Sequence, residues 1–248
     1  MILVLGGTSD SIEICYLLNE HNLSYAVSVT TSYGEELAKK CTNNVLLKKL
    51  TIEDMVDYIK ENNVTKIIDA THPYAVEVST NAINASKIAN IEYLRFERES
   101  LINKIDYDNK YIVEDIEEAC KIANSKGNNI FIGTGSKNLN LYKEMMGDKN
   151  LIARVLPTSE VLISCENIGF NGDNIIAMKG PFTQDMNEST YKQYNIDLVI
   201  TKESGSAGGF LEKVNACKTL NIPVVIIKRK GINYPNIVGS MDELNKLL

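Results

Sequence analysis

The chain has 248 residues, of which 44% are hydrophobic and 23% are charged, and its formal net charge is −6. This composition is typical of a soluble globular protein, and the acidic balance argues against nonspecific nucleic-acid binding, which needs a basic face. No apolar run approaches the roughly 20 residues that a membrane-spanning helix requires, so we expect no membrane partner.

The first part of the chain alternates short β-branched runs with helical segments, which is typical of a parallel sheet with helices on its faces. The pattern predicts strands at 2–5, 25–29, 45–47, 66–69 and 92–95. It predicts helices near 10–20, 34–40, 52–62 and 76–89. The first strand begins at once, without a basic segment before it, so we expect no signal peptide.

Residues 104–111 are polar and lack a clear period, which predicts a connection between two domains, 1–103 and 104–248. After it the alternation resumes. The second part predicts strands at 111–113, 130–133, 151–155, 174–178, 197–201 and 223–228. It predicts helices near 115–126, 138–146, 158–165, 184–194, 207–219 and 240–248. The expected α/β fold is two Rossmann-like lobes, each a mostly parallel sheet flanked by helices, with a cleft between them.

The five cysteines are far apart and form no C-x-x-C pair, so we expect neither a metal site nor a redox pair. Free thiols of this kind are typical of a reducing cytoplasm, which is the predicted location.

The first candidate site follows the first strand, where Gly6, Gly7 and Thr8 precede a helix. Glycines let the backbone approach a ligand closely, and the N–H groups of a helix start favour phosphate. The third glycine of the dinucleotide-binding fingerprint is missing, so a capped turn without a ligand is the alternative.

After the second strand, the hydroxyls of Thr31 and Ser32 stand where a NAD-binding domain often has a carboxylate for the ribose 2′-hydroxyl. A carboxylate would repel a 2′-phosphate and hydroxyls would not. This favours NADPH, with NADH possible, and a solvated turn is the alternative.

The segment Asp69-Ala70-Thr71-His72-Pro73-Tyr74-Ala75 follows the fourth strand and holds one of only two histidines. His72 is a candidate general acid or a ligand for an acidic group. The alternative is a histidine that only braces the loop.

Cationic residues follow several strands of the second part. Gly135, Ser136 and Lys137 lie in a glycine-rich turn, and Lys179 and Lys202 each come directly after a strand. With Arg154 they predict a cationic site for an anionic ligand, and solvated surface lysines are the alternative. No Tyr-x-x-x-Lys pair, G-x-S-x-G elbow or H-E-x-x-H motif occurs, which removes several other chemistries.

Several motifs in order along the chain resemble the precorrin-6A reductases of cobalamin biosynthesis, including the cobalt-precorrin-6A reductases. The matching stretches are Ile2-Leu3-Val4-Leu5-Gly6-Gly7-Thr8, the Asp69–Ala75 segment, Leu94-Arg95-Phe96-Glu97-Arg98, Gly133-Thr134-Gly135-Ser136-Lys137, Lys179-Gly180-Pro181-Phe182, Thr201-Lys202-Glu203-Ser204-Gly205 and Ile222-Pro223-Val224-Val225. The chain departs from many relatives after Arg95, where it has no proline-rich segment, and it has no tryptophan.

The resemblance implies hydride transfer from a reduced nicotinamide to an anionic tetrapyrrole, with no metal and no protein nucleophile. It implies His72 as the catalytic residue. It implies cofactor contacts from Gly6, Gly7, Thr8, Thr31, Ser32, Lys179, Lys202, Ser204 and Gly205. It implies substrate contacts from Thr71, Tyr74, Gly135, Ser136, Lys137 and Arg154. An NADP-linked reductase of a smaller substrate and a non-enzymatic NADP-sensing module remain alternatives.

Overall fold

A computed structural model describes residues 1–204, 208–229 and 231–248 and contains twelve strands and ten α-helices in these ranges. The strands are β1 (Ile2–Leu5), β2 (Tyr25–Val29), β3 (Val45–Leu47), β4 (Lys66–Asp69), β5 (Glu92–Phe96), β6 (Lys110–Val113), β7 (Asn129–Ile132), β8 (Asn150–Val155), β9 (Ile175–Ala177), β10 (Leu198–Lys202), β11 (Val224–Ile227) and β12 (Ile237–Val238). The helices are α1 (Ser9–Glu20), α2 (Ser32–Ala38), α3 (Ile52–Glu61), α4 (Val76–Ala89), α5 (Ile116–Lys126), α6 (Leu139–Met145), α7 (Ser159–Asn167), α8 (Gln184–Gln193), α9 (Phe210–Leu220) and α10 (Met241–Asn245).

The chain forms two compact units. The first unit comprises Met1–Glu99 together with Lys230–Leu248, and the second unit comprises Ser100–Arg229. The domains predicted from the sequence, 1–103 and 104–248, place the whole C-terminal segment in the second domain. In the structure β12 pairs in parallel with β5 of the first unit, since the amides of Arg95 and Glu97 donate hydrogen bonds of 2.9 Å to the carbonyls of Asn236 and Val238.

The first unit is a six-stranded sheet in the order β3-β2-β1-β4-β5-β12, and all of its strands are parallel. This is the strand order of the dinucleotide-binding Rossmann fold. Alternate residues of β1 enter different cores: Ile2 and Val4 pack in one apolar cluster, and Leu3 and Leu5 pack in another. Both faces of the sheet are therefore covered, as the uninterrupted apolar strand predicts.

The second unit repeats the architecture in the order β6-β11-β10-β7-β8-β9, again with parallel neighbours. A short 3-10 turn at Ile102–Lys104 lies within this unit and precedes its first strand. Phe131, Val199 and Phe210 lie at the centre of its core. The predicted α/β class with two Rossmann-like lobes is confirmed. Of the described residues, no helix combines the length and apolar character needed to cross a membrane.

Candidate functional site

The strand order of the first unit reverses between β1 and β4, which lie side by side although two strands and three helices separate them along the chain. In open parallel sheets, ligands bind beyond the carboxyl ends of the strands at such a reversal. The loop after β1 carries Gly6, Gly7 and Thr8, and the loop after β4 carries Thr71 and His72. A hydrogen bond of 2.7 Å joins the two loops, because the Thr8 hydroxyl donates to the Ala70 carbonyl.

The glycines after β1 are explained by close packing and by backbone conformation. A Cβ atom on Gly6 would lie 3.1 Å from Cγ1 of Val27, and Gly7 has a φ of +107°. Thr8 is the N-cap of α1, since its Oγ1 accepts a hydrogen bond of 3.1 Å from the Ser11 amide. The amides of Gly7 and Thr8 both point to Ser11 Oγ at 3.3 Å. The loop is thus a tight, capped helix start at the strand reversal, and in this conformation Ser11 accepts the hydrogen bonds of the Gly7 and Thr8 amides.

The turn after β2 presents hydroxyl groups beside this loop. Thr31 caps α2 by accepting a 3.0 Å hydrogen bond from the Gly34 amide, and both Thr31 and Ser32 are exposed. The nearest acidic side chain along α2 is Glu35, which pairs with Lys39 at 2.7 Å. The turn itself therefore carries hydroxyls and no carboxylate.

A buried polar network holds the loop after β4, and its centre is the fully buried carboxylate of Asp69. One oxygen of Asp69 accepts hydrogen bonds from the Thr71 amide at 3.0 Å, the Thr71 hydroxyl at 2.7 Å and Arg95 at 2.8 Å. The other oxygen accepts a 2.7 Å hydrogen bond from the hydroxyl of Tyr93. Burial and the neighbouring Asp69 charge raise the pKa of Tyr93, so this hydroxyl stays protonated and remains a donor.

Arg95 is also buried and connects Asp69 to a second carboxylate. Its guanidinium donates to Glu97 Oε2 at 2.8 and 3.0 Å and lies 5.1 Å from the ring centre of Tyr234. Burial by itself lowers the pKa of Arg95, but the charge of Asp69, with Tyr234 and Glu97, outweighs it and the pKa is raised. The charged pair fixes where the loop leaves β4.

His72 lies at the turn that this network anchors, and it is half-buried. Its Nδ1 accepts a 3.4 Å contact from the Tyr74 amide, and the two rings are 5.4 Å apart. Its carbonyl accepts from the Ala75 amide at 2.7 Å. Thr71, in contrast, is buried and its hydroxyl is engaged with Asp69, so in this conformation it supports the loop.

The second unit has the equivalent reversal between β7 and β10. Gly133 follows β7 and donates a 2.8 Å hydrogen bond to the Ile200 carbonyl, and Gly135 has a φ of +87° with open space where a Cβ would stand. Ser136 is half-buried and Lys137 is exposed. This glycine turn therefore displays a hydroxyl and a cation at the end of the sheet.

Arg154, near the end of β8, is 7% exposed and lies between aromatic rings. Its guanidinium carbon is 3.8 Å from the ring centre of Phe182 and 4.9 Å from that of Phe131. Its Nη2 donates a 2.8 Å hydrogen bond to the buried side chain of Asn187. Burial lowers the pKa of Arg154, although an arginine of this kind remains charged.

Two lysines belong to the same part of the second unit. The pKa of Lys202, at the end of β10, is lowered by burial and then by the charge of Lys137. The Nζ of Lys213, on α9, lies 3.5 Å from Ser204 Oγ, and burial with the charges of Arg154 and Lys202 lowers its pKa to about 8. Ser204 Oγ also donates to the Gly208 carbonyl at 3.2 Å.

The remaining predicted residues are distributed as follows. Lys179 is exposed in the loop after β9, the edge strand beside β8. Gly205 lies outside the described residues. In the described ranges no group of three or more His, Cys, Asp or Glu side chains is placed to hold a metal ion.

Two sets of site residues are not evident from the sequence. Asp69 and Arg95 belong to the motifs of the resemblance, but their contact becomes visible only when β4 and β5 pair. Lys213 was missed because a lysine on a helix normally indicates a solvated face. The spacing of residues along the chain does not show that Lys213 lies near the charges of Arg154 and Lys202.

Comparisons with known proteins agree on one family. The family model described as precorrin-6x reductase CbiJ/CobK matches residues 1–248. The cobalt-precorrin-6A reductase of Salmonella typhimurium is 39% identical, covering 92% of this chain and 87% of the relative. That of Methanocaldococcus jannaschii is 38% identical, covering 100% and 97%. The solved structure of CobK precorrin-6A reductase has a TM-score of 0.81 at 21% identity, covers 99% of this chain and 95% of its own, and shows the same fold.

Proposed function

The chain belongs to the precorrin-6x reductase family, and we propose that it reduces cobalt-precorrin-6A to cobalt-precorrin-6B with NADPH during corrin ring synthesis. This proposal rests on the family model, which matches the whole chain. The relatives compared above are named for the cobalt-containing substrate, which supports the cobalt form over the metal-free macrocycle. An enzyme of this biosynthesis is expected to act in the cytoplasm.

The nucleotide is expected at the strand reversal of the first unit. Gly6, Gly7 and Thr8 offer a close backbone approach at the start of α1, which suits a pyrophosphate. Exposed hydroxyls on Thr31 and Ser32 suit a 2′-phosphate, and their turn carries no carboxylate that would repel it. This is the observation that favours NADPH over NADH.

The substrate is expected to contact the second unit, because a tetrapyrrole with several carboxylate arms needs cationic partners. Three cationic side chains lie at the carboxyl ends of strands or just after them: Arg154 near the end of β8, Lys202 at the end of β10 and Lys137 in the loop after β7. Two of them are buried enough for their pKa values to fall, so their charges are poorly screened by water. Gly135 and Ser136 add backbone and hydroxyl contacts, and Lys179 and Ser204 are candidates for further anionic groups.

The bound nicotinamide supplies the hydride, so the protein has to orient the macrocycle and help deliver one proton to the carbon beside the hydride acceptor. His72 is our candidate for this proton or for orienting an acidic arm of the substrate. The Asp69 network fixes the start of the loop that carries His72 and Tyr74, which gives the imidazole a defined direction.

The test is an anaerobic assay of the purified protein with cobalt-precorrin-6A and with metal-free precorrin-6A, each with NADPH and NADH in parallel. We expect cofactor oxidation and a product heavier by two hydrogens, fastest with the cobalt form and NADPH. Cofactor binding without oxidation on either macrocycle would instead support a sensing module, and turnover only of small carbonyl compounds would support a different reductase.

A further inference from the structure

Lys213 occupies an unusual position for a lysine on a surface helix. It is the fourth residue of α9, it is 7% exposed, and its Nζ reaches Ser204 Oγ at 3.5 Å. Arg154, whose charge acts on Lys213, is equally buried and donates to the neutral Asn187. The hydrogen-bonding partners of both buried cations are therefore uncharged groups.

The charges around Lys213 are predominantly positive. Arg154 and Lys202 both act on it, and Glu212 is the acidic group that opposes them. Over the described ranges, neither Arg154 nor Lys213 forms an ion pair with a carboxylate of this chain. Buried charges without an opposite partner are costly, and like charges close together add to this cost.

The start of α9 adds further positive potential at the same place. This helix has 11 residues, and its N-cap is Gly209, with a φ of +62°. A Cβ on Gly208 would collide with Ser204, so a glycine is needed for this approach. Backbone atoms of Phe182, whose ring stacks on Arg154, lie 3.4 and 3.5 Å from the position of a Cβ on Gly209. Arg154, Lys213 and the helix start consequently belong to one packed cluster.

We propose that Lys213, together with Arg154 and the N-terminus of α9, forms a subsite that binds one carboxylate arm of the macrocycle. The inference rests on the proposed function for the identity of the ligand, but the anion-binding property stands on the geometry alone. A carboxylate would supply the missing negative charge and accept hydrogen bonds from both side chains. Lys213 thereby determines substrate affinity without taking part in the hydride or proton transfer.

Lys213→Met, which removes the charge and keeps the length of the side chain, is the test variant. Lys218→Met is the matched control, since Lys218 lies on the same helix but is exposed and pairs with Asp106 at 2.9 Å. We expect Lys213→Met to raise KM for the macrocycle by roughly 10- to 100-fold, the loss of a hydrogen bond to a charged group. The value of kcat and the KM for NADPH should remain close to those of the control.

The unfolding temperature of the ligand-free protein separates a binding role from a structural one. A lysine that stabilises the fold would lower this temperature when removed. Removal of a cation whose counter-charge comes only from a bound ligand would leave the unfolding temperature unchanged or raise it. We expect Lys213→Met to raise it. An unchanged KM, or a lowered unfolding temperature in this variant, would overturn the proposal.

The subsite can be tested without the reaction by using citrate as the probe. At equal ionic strength, citrate should raise the unfolding temperature of the wild-type protein and of Lys218→Met more than sodium chloride does. The excess over sodium chloride should be smaller for Lys213→Met, which keeps only the general stabilisation that kosmotropic anions give to any protein. Equal stabilisation of all three proteins, or of none, would overturn the subsite. If the wild-type protein fails to turn over the macrocycle but responds to citrate in this way, the proposed function fails and the anion site stands.

Discussion

Replacement of Asp69 by asparagine should strongly destabilise the first unit. Asp69 and Arg95 are both fully buried, and the substitution leaves the guanidinium without its main counter-charge. Removing one partner of a buried pair costs about 3–5 kcal/mol of unfolding free energy. Since Glu97 still accepts two hydrogen bonds from Arg95, we expect a loss near the lower end, about 3 kcal/mol.

Two further variants calibrate this value. Tyr93→Phe removes one hydrogen bond to the same carboxylate and should cost about 1.5–3 kcal/mol, the range for hydrogen bonds to charged groups. Glu77→Gln breaks the exposed pair between Glu77 and Lys49, whose atoms are 3.0 Å apart, and should cost about 0–1 kcal/mol. The N···O distance in the exposed pair, 3.0 Å, is similar to the 2.8 Å in the buried pair, so the difference between the two losses of unfolding free energy reports the effect of burial.

The assay is urea unfolding followed by circular dichroism, with all four proteins measured at neutral pH and the same salt concentration. The expected order of destabilisation is Asp69→Asn, then Tyr93→Phe, then Glu77→Gln. If Asp69→Asn costs no more than Glu77→Gln, the network does not anchor the loop after β4 and does not fix the direction of the His72 imidazole.

Three other predictions concern cofactor choice, catalysis and pH. Ser32→Asp places a carboxylate after β2 and should reduce the preference for NADPH over NADH by roughly 10-fold or more in kcat/KM, whereas an unchanged ratio would contradict a 2′-phosphate there. His72→Ala should lower kcat by roughly 100-fold, whereas His21→Ala, at an exposed position 2.6 Å from Asn245, should not; equal rates would exclude a catalytic role. The pKa of Lys213 in the folded protein is about 8, below its ordinary value of 10.5. Between these two pH values the unfolded chain binds more protons than the folded protein does. The free energy of unfolding of the wild-type protein therefore increases as the pH rises through this range. The advantage of Lys213→Met, roughly 3 kcal/mol at neutral pH, should therefore vanish by about pH 10.5 in urea titrations, and a constant difference would contradict the burial of a charged amine.

The sheet architecture was predictable because each strand is a short β-branched run whose pattern is local. The strand order, and hence the neighbourhood of Gly6 and His72, was not predictable, because periodicity gives strands and not their order. The structure shows that the order in the first unit is the standard one. Strand β12 was not predictable, because its two residues are too few to show the alternation of apolar and polar residues that marks a strand. Its pairing with β5 also joins segments 142 residues apart. Burial of Lys213 depends on which face of α9 meets the sheet, and the sequence pattern of that helix does not define this face.

The pairing of β12 with β5 makes the first unit discontinuous along the chain. During synthesis, Arg95 and Phe96 emerge from the ribosome long before Ile237 and Val238, with the whole second unit in between. At roughly 5–20 residues per second this interval is on the order of ten seconds. Throughout it the outer edge of β5 has unpaired main-chain groups, and the ring of Tyr234 does not yet cover the Arg95 guanidinium. The nascent chain therefore carries an open sheet edge until its last residues emerge, and such an edge can pair with other strands.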